Sequence, residues 1–465
     1  MRMAESAPLI SAAAAAYTVA TTSLAFVLNV VDALLVTLQL PYRAMRRLSQ
    51  HPSRQSVVIV GASFAGLHAQ RALSDRFDVT LIDVKDYFEY TPGVLRCFVE
   101  PSHLSAIAKP LPTKRCRVLV GEAVEVAEAH LTLRRRDGVL EAVGFDYLLL
   151  ACGSAYPGHV VKVGSDQPSV AARAACWSAA AASLRAAASV IVVGGGPVGV
   201  ELAAEIIGAY PSKSVTLVSR SRQLCATLPE KVGELCLEWL RRRGVQVLLG
   251  APCTRIGMES CTLEDGRELH ASLLYNCAGG QPNTQILRSN FGEQLDSAGR
   301  LRVNDYLQLD GAPAIFGVGD MMSHTSNELK LAHTAELNAI AAAENIRRLS
   351  TGRELLRYPE GAHGLKRSPQ VYCVSLGKHS AVLSFNGLVV GGRLLGPAAA
   401  LVKWLLEWTK VRVRVRVRVR VRVRVRVRAA ALVKWLLEWT KVAACSERSV
   451  GLLVLLTYLF TYLLT

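Results

Sequence analysis

The amino-acid sequence predicts an α/β protein in which one strand–turn–helix unit is inserted into another. Two observations lead to this fold class. A short β-branched strand, a glycine turn, a helix and a second strand follow one another between Ser56 and Asp83, and the same order recurs from Val190 to Val218. Strands of this composition are typical of parallel sheets that are buried on both faces.

The first unit contains the turn Gly61-Ala-Ser-Phe-Ala-Gly66 directly after the strand from Val57 to Val60. The helix that follows offers unpaired backbone N–H groups at its N-terminus, where a pyrophosphate is favoured. Ser63 stands where the G-x-G-x-x-G pattern of dinucleotide-binding turns has its middle glycine. Its side chain is small enough to let phosphates approach. The second strand ends on Asp83, 22 residues after Gly61, where a carboxylate can accept hydrogen bonds from the hydroxyls of an adenosine ribose.

The segment after this carboxylate is predicted to be a polar, aromatic loop with a turn at Pro92-Gly93. Its Lys85 and Arg96 are candidates to contact a phosphate or a flavin carbonyl, and solvated surface residues are the alternative. Cys97 is the only cysteine of this loop. Because electron transfer through a flavin to a dithiol needs two neighbouring thiols, disulfide reductase chemistry is not expected.

Further strands and a helix separate the two units. A buried strand after Phe145 runs into Gly153, which indicates that the backbone there passes close to a cofactor or to a domain crossover. The other predicted elements are strands at Arg117–Val126, His130–Arg134 and Leu140–Val143 and a helix at Ala171–Ala187.

The second unit repeats the pattern of the first. Val190 to Val193 lead into Gly194-Gly-Gly196-Pro-Val-Gly199, and the following helix carries Glu201. One site for a flavin and one for a nicotinamide is the simplest explanation, because hydride transfer needs a donor ring and an acceptor ring in contact. The second strand of this unit continues as Ser219-Arg220-Ser-Arg222, without the acid that would repel a 2′-phosphate. The sequence therefore predicts that NADPH is used at least as well as NADH.

The chain then completes the second unit and returns to the first. Strands at Val245–Leu249 and Leu273–Asn276 are predicted to complete the inserted sheet. A later strand ends at Gly319-Asp320, which puts a carboxylate near the first nucleotide, where it can bind ribityl hydroxyls. A helix from Leu331 to Arg348 begins directly after Lys330, and its N-terminus can point at the electron-rich edge of a flavin.

Taken together, these motifs resemble the two-dinucleotide flavoprotein oxidoreductases. Within them the chain is most similar to the ferroptosis-suppressor-type homologues of apoptosis-inducing factor, with type II NADH dehydrogenases as near relatives. The resemblance covers about residues 55 to 395. The segments that carry it are Gly61–Gly66, Thr80–Phe88, Leu149–Ser154, Gly194–Glu201, Leu301–Gln308, Gly317–Asp320 and Lys330–His333.

The resemblance implies two Rossmann-like dinucleotide-binding domains, with the NAD(P) domain inserted in the FAD domain, plus a C-terminal segment. It also implies reduction of membrane quinones. The residues implied to hold FAD are Gly61, Ser63, Gly66, Asp83 and Asp320. Those implied to hold NAD(P)H are Gly194, Gly196, Gly199 and Glu201. Further cofactor-binding candidates, from the arguments above, are Lys85, Arg96, Arg220 and Lys330.

Six segments are expected along the chain. They are an apolar N-terminal anchor and linker (1–54), the first part of the FAD-binding domain (55–155), the NAD(P)H-binding domain (156–280), the second part of the FAD-binding domain (281–370), a C-terminal segment (371–410), and a Val-Arg repeat with a duplicated helix and an apolar tail (411–465).

The composition shows where the positive charge comes from and which state the cysteines are expected to have. The 465-residue chain is 51% hydrophobic and carries a formal net charge of +17. Nine arginines of a Val-Arg repeat between Val411 and Arg428 supply about half of that charge. The eleven cysteines show no C-x-x-C pair and no metal-ligand spacing, which is typical of reduced, mostly buried thiols in a cytosol-like compartment.

The N-terminal segment suggests membrane attachment. Tyr17 to Leu40 is apolar with one acid, Asp32, and three arginines follow it closely, as in a signal-anchor helix with its basic flank in the cytosol. An interfacial helix and a cleaved targeting segment are the alternatives. The chain begins Met1-Arg2-Met3 and lacks the N-terminal glycine on which the homologues are often myristoylated, so the apolar segment is expected to replace the lipid.

The C-terminal region departs from the family. Its Ser-x-Gly-Arg stretch survives only as Ser375-Leu-Gly-Lys378-His379. The fourteen residues from Ala398 to Val411, with an apolar Trp-Leu stripe suited to lipid or to a domain surface, recur at 429–442. The Val-Arg repeats between the copies are interpreted as low-complexity sequence, and attraction to anionic lipid or to nucleic acid is the alternative.

We therefore expect a membrane-associated, FAD-dependent NAD(P)H:quinone oxidoreductase whose catalytic domain faces the cytosol. The alternative is a binding protein, an apoptosis-inducing-factor-like flavoprotein whose basic surface binds nucleic acid. A reductase for a small iron protein is a third possibility, against which the apolar termini argue. The sequence specifies neither the organelle nor the oligomeric state.

Overall fold

The structure is a computed structural model that describes residues 54–156, 161–162, 164–363, 368 and 370–412. The predicted N-terminal anchor, the Val-Arg repeats beyond Arg412, the second copy of the fourteen-residue segment and the apolar tail lie outside these residues. Within them the predicted α/β class is confirmed, with one parallel-sheet unit inserted into another.

The first unit begins with a strand–turn–helix–strand order and continues into a β-meander. Its elements are β1 (Ser56–Val60), α1 (Phe64–Leu73), β2 (Asp78–Asp83), β3 (Tyr87–Glu89), 3₁₀ helices at Thr91–Phe98 and Pro101–His103, α2 (Leu104–Ile107), β4 (Ala108–Pro110), β5 (Arg117–Val126), β6 (His130–Arg135), β7 (Leu140–Gly144), β8 (Tyr147–Leu150) and β9 (Ser154–Ala155).

The inserted unit has its own parallel sheet and a separate antiparallel one. Its elements are α3 (Val170–Ala186), β10 (Ser189–Val193), α4 (Pro197–Ala209), β11 (Ser214–Val218), α5 (Glu230–Arg241), β12 (Gln246–Leu248), β13 (Cys253–Ile256), β14 (Ser260–Leu263), β15 (Glu268–His270), β16 (Leu273–Asn276) and β17 (Gln281–Pro282).

The chain then completes the first unit and ends in a small C-terminal unit. The remaining elements are 3₁₀ helices at Gln285–Leu287, Gly292–Gln294 and Gly319–Met321, α6 (Arg288–Phe291), β18 (Leu301–Arg302), β19 (Gln308–Leu309), β20 (Ala312–Gly317), β21 (Met322–Ser323), α7 (Ala332–Leu349), α8 (Glu360–His363), β22 (Val371–Ser375), β23 (Ala381–Phe385), β24 (Leu388–Val390) and α9 (Gly392–Arg412).

The large sheet has the strand order β19-β20-β8-β1-β2-β5-β6-β7. Its central strands β20, β8, β1, β2 and β5 run parallel, and the apolar residues of β8, β1 and β2 are almost completely buried. The chain adds β2 and β5 on one side of β1 and later adds β8 and β20 on its other side, so the strand order reverses at β1. Such a switch point is where α/β sheets bind their ligands, beyond the carboxyl ends of the strands.

The inserted sheet has the order β12-β11-β10-β16, with all strands parallel. The chain leaves the first unit through β9 and re-enters it through β17, and these two strands pair with each other. The two chain connections between the units therefore lie side by side.

One local prediction is wrong. Residues Thr91–Phe98 form a 3₁₀ helix where the sequence suggested a polar loop with a turn at Pro92-Gly93. Pro92 lies in the first turn of this helix, where its missing N–H costs nothing. Val94, Leu95 and Phe98 are buried, since the segment packs between α4 of the inserted unit and α3.

A buried ion pair fixes α3 to the first unit. The guanidinium of Arg173 donates to both carboxylate oxygens of Glu89, at 2.8 and 2.9 Å. It also donates to Gln167 at 2.6 Å and lies over the ring of Trp177. Arg173 has no exposed surface, so this pair is one in which loss of either partner would leave an uncompensated buried charge.

The C-terminal unit consists of the antiparallel sheet β22-β23-β24 and the long helix α9. Ala399 and Val402 of α9 pack on β23 in a small apolar cluster. No helix in the described part of the chain has both the length and the apolar character needed to cross a bilayer.

Candidate functional site

The first glycine turn is built by close backbone packing. Gly61 has φ 102° and donates its N–H to the Ile82 carbonyl at 2.8 Å. A Cβ on Gly61 would lie 2.3 Å from the carbonyl oxygen of Ala151, and a Cβ on Gly66 would lie 1.7 Å from the carbonyl oxygen of Gly61. The helix therefore lies directly on the turn, and these two positions accept only glycine.

The second glycine turn repeats the same contacts. Gly194 has φ 122° and donates its N–H to the Val218 carbonyl at 2.8 Å. A Cβ on Gly199 would lie 1.9 Å from the carbonyl oxygen of Gly194. The two turns are far apart in the sequence but have the same backbone conformation and the same close contacts.

Both helices that follow the turns begin without a side-chain cap. The N-cap residue of α1 is Ser63, whose side chain forms no capping hydrogen bond, and that of α4 is Gly196, which has no side chain to form one. The first backbone N–H groups of a helix have no partner within the helix. Space at Gly196 is open, with no atom within 4 Å of an added Cβ. Two helix N-termini without a side-chain cap, the second of them beside open space at Gly196, fit the diphosphates of two dinucleotides.

Asp83 lies at the end of β2, next to the first turn. One carboxylate oxygen accepts from the Ala62 N–H at 2.6 Å, and the other accepts from the backbone and ammonium N–H groups of Lys85 at 3.1 and 3.0 Å. Both side chains are nearly buried. The predicted ribose acceptor is therefore held in a fixed orientation, and Lys85 reaches it rather than solvent.

Asp320 lies at the same sheet edge as the first turn. Ser154 Oγ donates to its carboxylate at 2.7 Å, and Lys162 Nζ donates at 2.9 Å. Burial by itself would raise the pKa of this carboxyl, but the Lys162 ammonium, with Ser154 and Lys330, holds the pKa below its ordinary value. The acid is therefore ionised and hydrogen-bonded at neutral pH.

Helix α7 begins close to this carboxylate. Gly319 donates its N–H to Asn338 of α7 at 3.2 Å, which holds the turn before Asp320 against the helix. Lys330 precedes α7, and burial lowers the pKa of its ammonium even though Glu328 and Asp320 oppose that shift. The structure thus brings the candidates Asp320 and Lys330 into one neighbourhood.

The inserted unit has no acid at the position that corresponds to Asp83. Val60 pairs with Ile82 in the first sheet, and Val193 pairs with Val218 in the second, so Ser219 is the counterpart of Asp83. Ser219 is buried against Gly195. Arg220 and Arg222 follow as exposed side chains.

Two further candidates, Arg96 and Glu201, form ion pairs at the junction of the three units. Arg96 forms an ion pair with Glu205 of α4 at 3.0 Å. Glu201 accepts from the Ser375 N–H at 2.7 Å and pairs with Lys403 of α9 at 3.3 Å. Burial lowers the pKa of Lys403, but Glu201 and its neighbours outweigh burial and raise it. The cofactor roles of Arg96 and Glu201 stay predictions.

A small cavity of about 30 Å³ lies at this junction, room for a single water molecule or two. His103 of the first unit pairs with Glu407 of α9 at 3.3 Å beside it. Residues that line it include Arg96, His103, Glu205, Lys403, Trp404 and Glu407. Sequence reasoning missed these pairs, because the two partners of each lie on different elements that are far apart in the sequence.

The cysteines of the described residues are all free thiols. Cys97 is fully buried, and burial raises the pKa of its thiol. A protonated, buried thiol is neither nucleophilic nor open to exchange. The expectation that this segment does not form a redox-active disulfide stays a prediction.

A family model described as pyridine nucleotide-disulphide oxidoreductase matches residues 55–339. Ferroptosis suppressor protein 1 of Mus musculus is 31% identical over 355 residues, which cover 72% of this chain and 90% of that protein. Apoptosis-inducing factor homolog B of Dictyostelium discoideum is 26% identical over 326 residues, 64% of this chain and 82% of that protein.

Among solved structures, NDH2 from Plasmodium falciparum in complex with NADH has a TM-score of 0.61 at 14% identity. The match covers 78% of this chain and 99% of NDH2. At that identity the likeness shows a shared fold.

Proposed function

Because this chain belongs to the pyridine nucleotide-disulphide oxidoreductase family, we propose that it is a membrane-associated NAD(P)H:quinone oxidoreductase. The family uses FAD with NAD(P)H, and the resemblance inferred from the motifs is confirmed. The observation that carries the proposal is the pair of matching glycine turns, each with an uncapped helix N-terminus.

The proposed cofactor contacts follow the sheet edges. FAD would be held by the first turn, with Asp83 at its ribose and Asp320 at its ribityl chain. NAD(P)H would be held by the second turn, Gly194 to Gly199. The donor sets suit these groups, since backbone N–H groups bind diphosphates and carboxylates accept from sugar hydroxyls.

The protein is proposed to contribute by binding the two cofactors and holding them next to each other. When bound, FAD supplies the chemistry that accepts a hydride from the nicotinamide and returns electrons to an acceptor. The Arg96–Glu205 pair joins the first unit to the helix that begins at the second turn, and so helps to fix the separation of the two sites. Good orientation of this kind can replace several kcal/mol of barrier, and no side chain is assigned a nucleophilic role.

The electron acceptor is proposed to be a quinone, because electron transfer through a dithiol would need a pair of neighbouring cysteines beside the flavin. Cys97 is buried and protonated, and no disulfide occurs among the cysteines described. Relatives named for ferroptosis suppression and NDH2 support an acceptor outside the protein. A small apolar ring that takes two electrons meets this requirement.

NADPH is proposed as a donor at least equal to NADH. Ser219 occupies the position of Asp83, so no carboxylate repels a 2′-phosphate there. Arg220 and Arg222 are exposed beside it, where a cation can pair with the phosphate.

Membrane attachment is proposed to come from the apolar N-terminal segment, Tyr17 to Leu40, with the flavoprotein unit on the cytosolic side. Its apolar length and basic flank support this proposal. The segment lies outside the described residues.

Purification with spectral identification of flavin, followed by NADPH oxidation with a panel of acceptors, tests the proposal. We expect turnover with short-chain quinones and little with a disulfide substrate or a small iron protein. Absence of turnover with every quinone would reject the oxidoreductase proposal in favour of a binding protein. A variant without residues 411–428 serves as the control, because loss of nucleic-acid binding with intact NADPH oxidation would limit that tract to binding.

A further inference from the structure

Three parallel strands end together at the edge where FAD is expected. Val60 pairs with Leu150, and Leu150 pairs with Gly317. Gly61 follows the first of these strands directly, and Asp320 follows the third by three residues. The first glycine turn and Asp320 therefore face the same crevice beyond the sheet.

Charge at this edge is unbalanced for a dinucleotide. A diphosphate brings two negative charges to the turn, and the carboxylates of Asp83 and Asp320 already lie there. Like charges brought together in a partly buried crevice repel one another strongly unless cations are placed among them. Lys85 is engaged with Asp83, so a further cation is needed on the side of Asp320.

Lys330 lies on that side and helps to lower the pKa of Asp320, but the cation in direct contact with the carboxylate is Lys162. Its ammonium lies 2.9 Å from the Asp320 carboxylate and also donates to Ser154. Ser154 follows Ala151 by three residues, and the Ala151 carbonyl is the group that touches Gly61. The side chain is 23% exposed and packs over the ring of Tyr156, so its ammonium borders the crevice without being sealed from it.

The position of Lys162 in the chain is informative. It belongs to the stretch between β9 and α3, which leads from the first unit to the inserted one. No motif of the first glycine turn includes it, and it is separated from Asp320 by 158 residues. The contact between Lys162 and Asp320 is therefore a tertiary contact, which the local geometry of the turn does not require.

We propose that Lys162 is a binding residue for the diphosphate of FAD. Its ammonium balances the charge of Asp320 and donates a charge-assisted hydrogen bond to the phosphate. The carboxylate of Asp320 then keeps an oxygen for the ribityl hydroxyls. Lys162 thereby links occupancy of the first site to the segment that carries the inserted unit.

The test is the dissociation constant of FAD, measured from the flavin fluorescence released on serial dilution of the holoenzyme. Lys162→Met is expected to weaken FAD binding about ten- to a hundredfold, and Lys162→Arg to restore most of the loss. The matched control is Lys231→Met, which removes one exposed ammonium of α5 that pairs with Glu234 and should leave FAD binding unchanged. Circular dichroism of each variant checks its fold.

A double-variant cycle separates contact with the phosphate from support of Asp320. If Lys162 binds the diphosphate, Lys162→Met also weakens FAD binding at least about tenfold in an Asp320→Asn background. A loss that vanishes in that background, or no loss in either, would overturn the proposal. The measurement needs no electron acceptor, so its failure is distinct from failure of the proposed quinone activity.

Salt gives a second, independent measure. A diphosphate bound by an ammonium loses affinity as salt screens the pair. The dissociation constant of the wild type should therefore rise more steeply between low and high ionic strength than that of Lys162→Met. Equal salt dependence of the two would contradict the inference.

Discussion

Gly66→Ala is the most informative single change in the first unit. A Cβ at this position would lie 1.7 Å from the carbonyl oxygen of Gly61. Real contacts of this type need at least 3.0 Å, so α1 must move by roughly 1.3 Å relative to the turn. Both partners are backbone atoms, and no flexible side chain can absorb the shift.

That displacement should remove the flavin. The helix N–H groups that are proposed to bind the diphosphate move with α1, and a misplacement of about 1 Å at such a site can cost about a hundredfold. The assay is the ratio of visible flavin absorbance to protein absorbance after gel filtration. We expect Gly66→Ala to elute nearly colourless, with its secondary structure retained by circular dichroism.

Two matched glycine changes complete the experiment. Gly199→Ala creates the same clash in the inserted unit, 1.9 Å from the carbonyl oxygen of Gly194. It should retain FAD but lower kcat/KM for NADPH by about a hundredfold. Gly208→Ala lies in the same helix with no atom within 4 Å, and should change neither quantity while stabilising the helix by up to about 1 kcal/mol. If Gly66→Ala keeps its flavin, or if Gly199→Ala loses it, the assignment of the two turns is refuted.

Three further predictions concern nucleotide choice, stability and pH. Ser219→Asp should lower kcat/KM for NADPH about tenfold or more and that for NADH only slightly; an unchanged ratio in initial rates would reject the 2′-phosphate argument. Arg173→Met should lower the free energy of unfolding in urea by about 3–5 kcal/mol, and adding Glu89→Met should recover most of that loss, which a purely apolar role of Arg173 would not predict. The depressed pKa of Asp320 means that its pair with Lys162 stabilises the protein above about pH 4 and is lost as pH falls through the lower native value. Thermal unfolding of the wild type and Asp320→Asn should therefore differ near neutral pH, and the difference should shrink as pH falls below the native pKa of Asp320.

Much of the fold could be predicted because its signals are local. The strand at Arg117–Val126 is observed with the predicted bounds, and α7 begins one residue after the predicted start at Leu331. Both glycine turns were recognisable because a buried β-branched strand precedes each one. These patterns depend only on neighbours within a few residues.

The rest depends on contacts between distant segments. The 3₁₀ helix at Thr91–Phe98 is buried only because α3 and α4 cover it, so its composition alone suggested a loop. Glu201 and Ser375 are 174 residues apart, and neither carries a sign of the other. The C-terminal sheet β22-β23-β24 was likewise not anticipated, since its strands are short and are defined by packing on α9 and α5.

Anaerobic addition of NADPH to the purified holoprotein tests the central claim, which is that two glycine turns hold two dinucleotides close enough for hydride transfer. The account predicts a flavin absorbance spectrum that bleaches on mixing and returns when a quinone is added. A folded protein that carries no flavin, or whose flavin spectrum is unchanged by both NADPH and NADH, would contradict it.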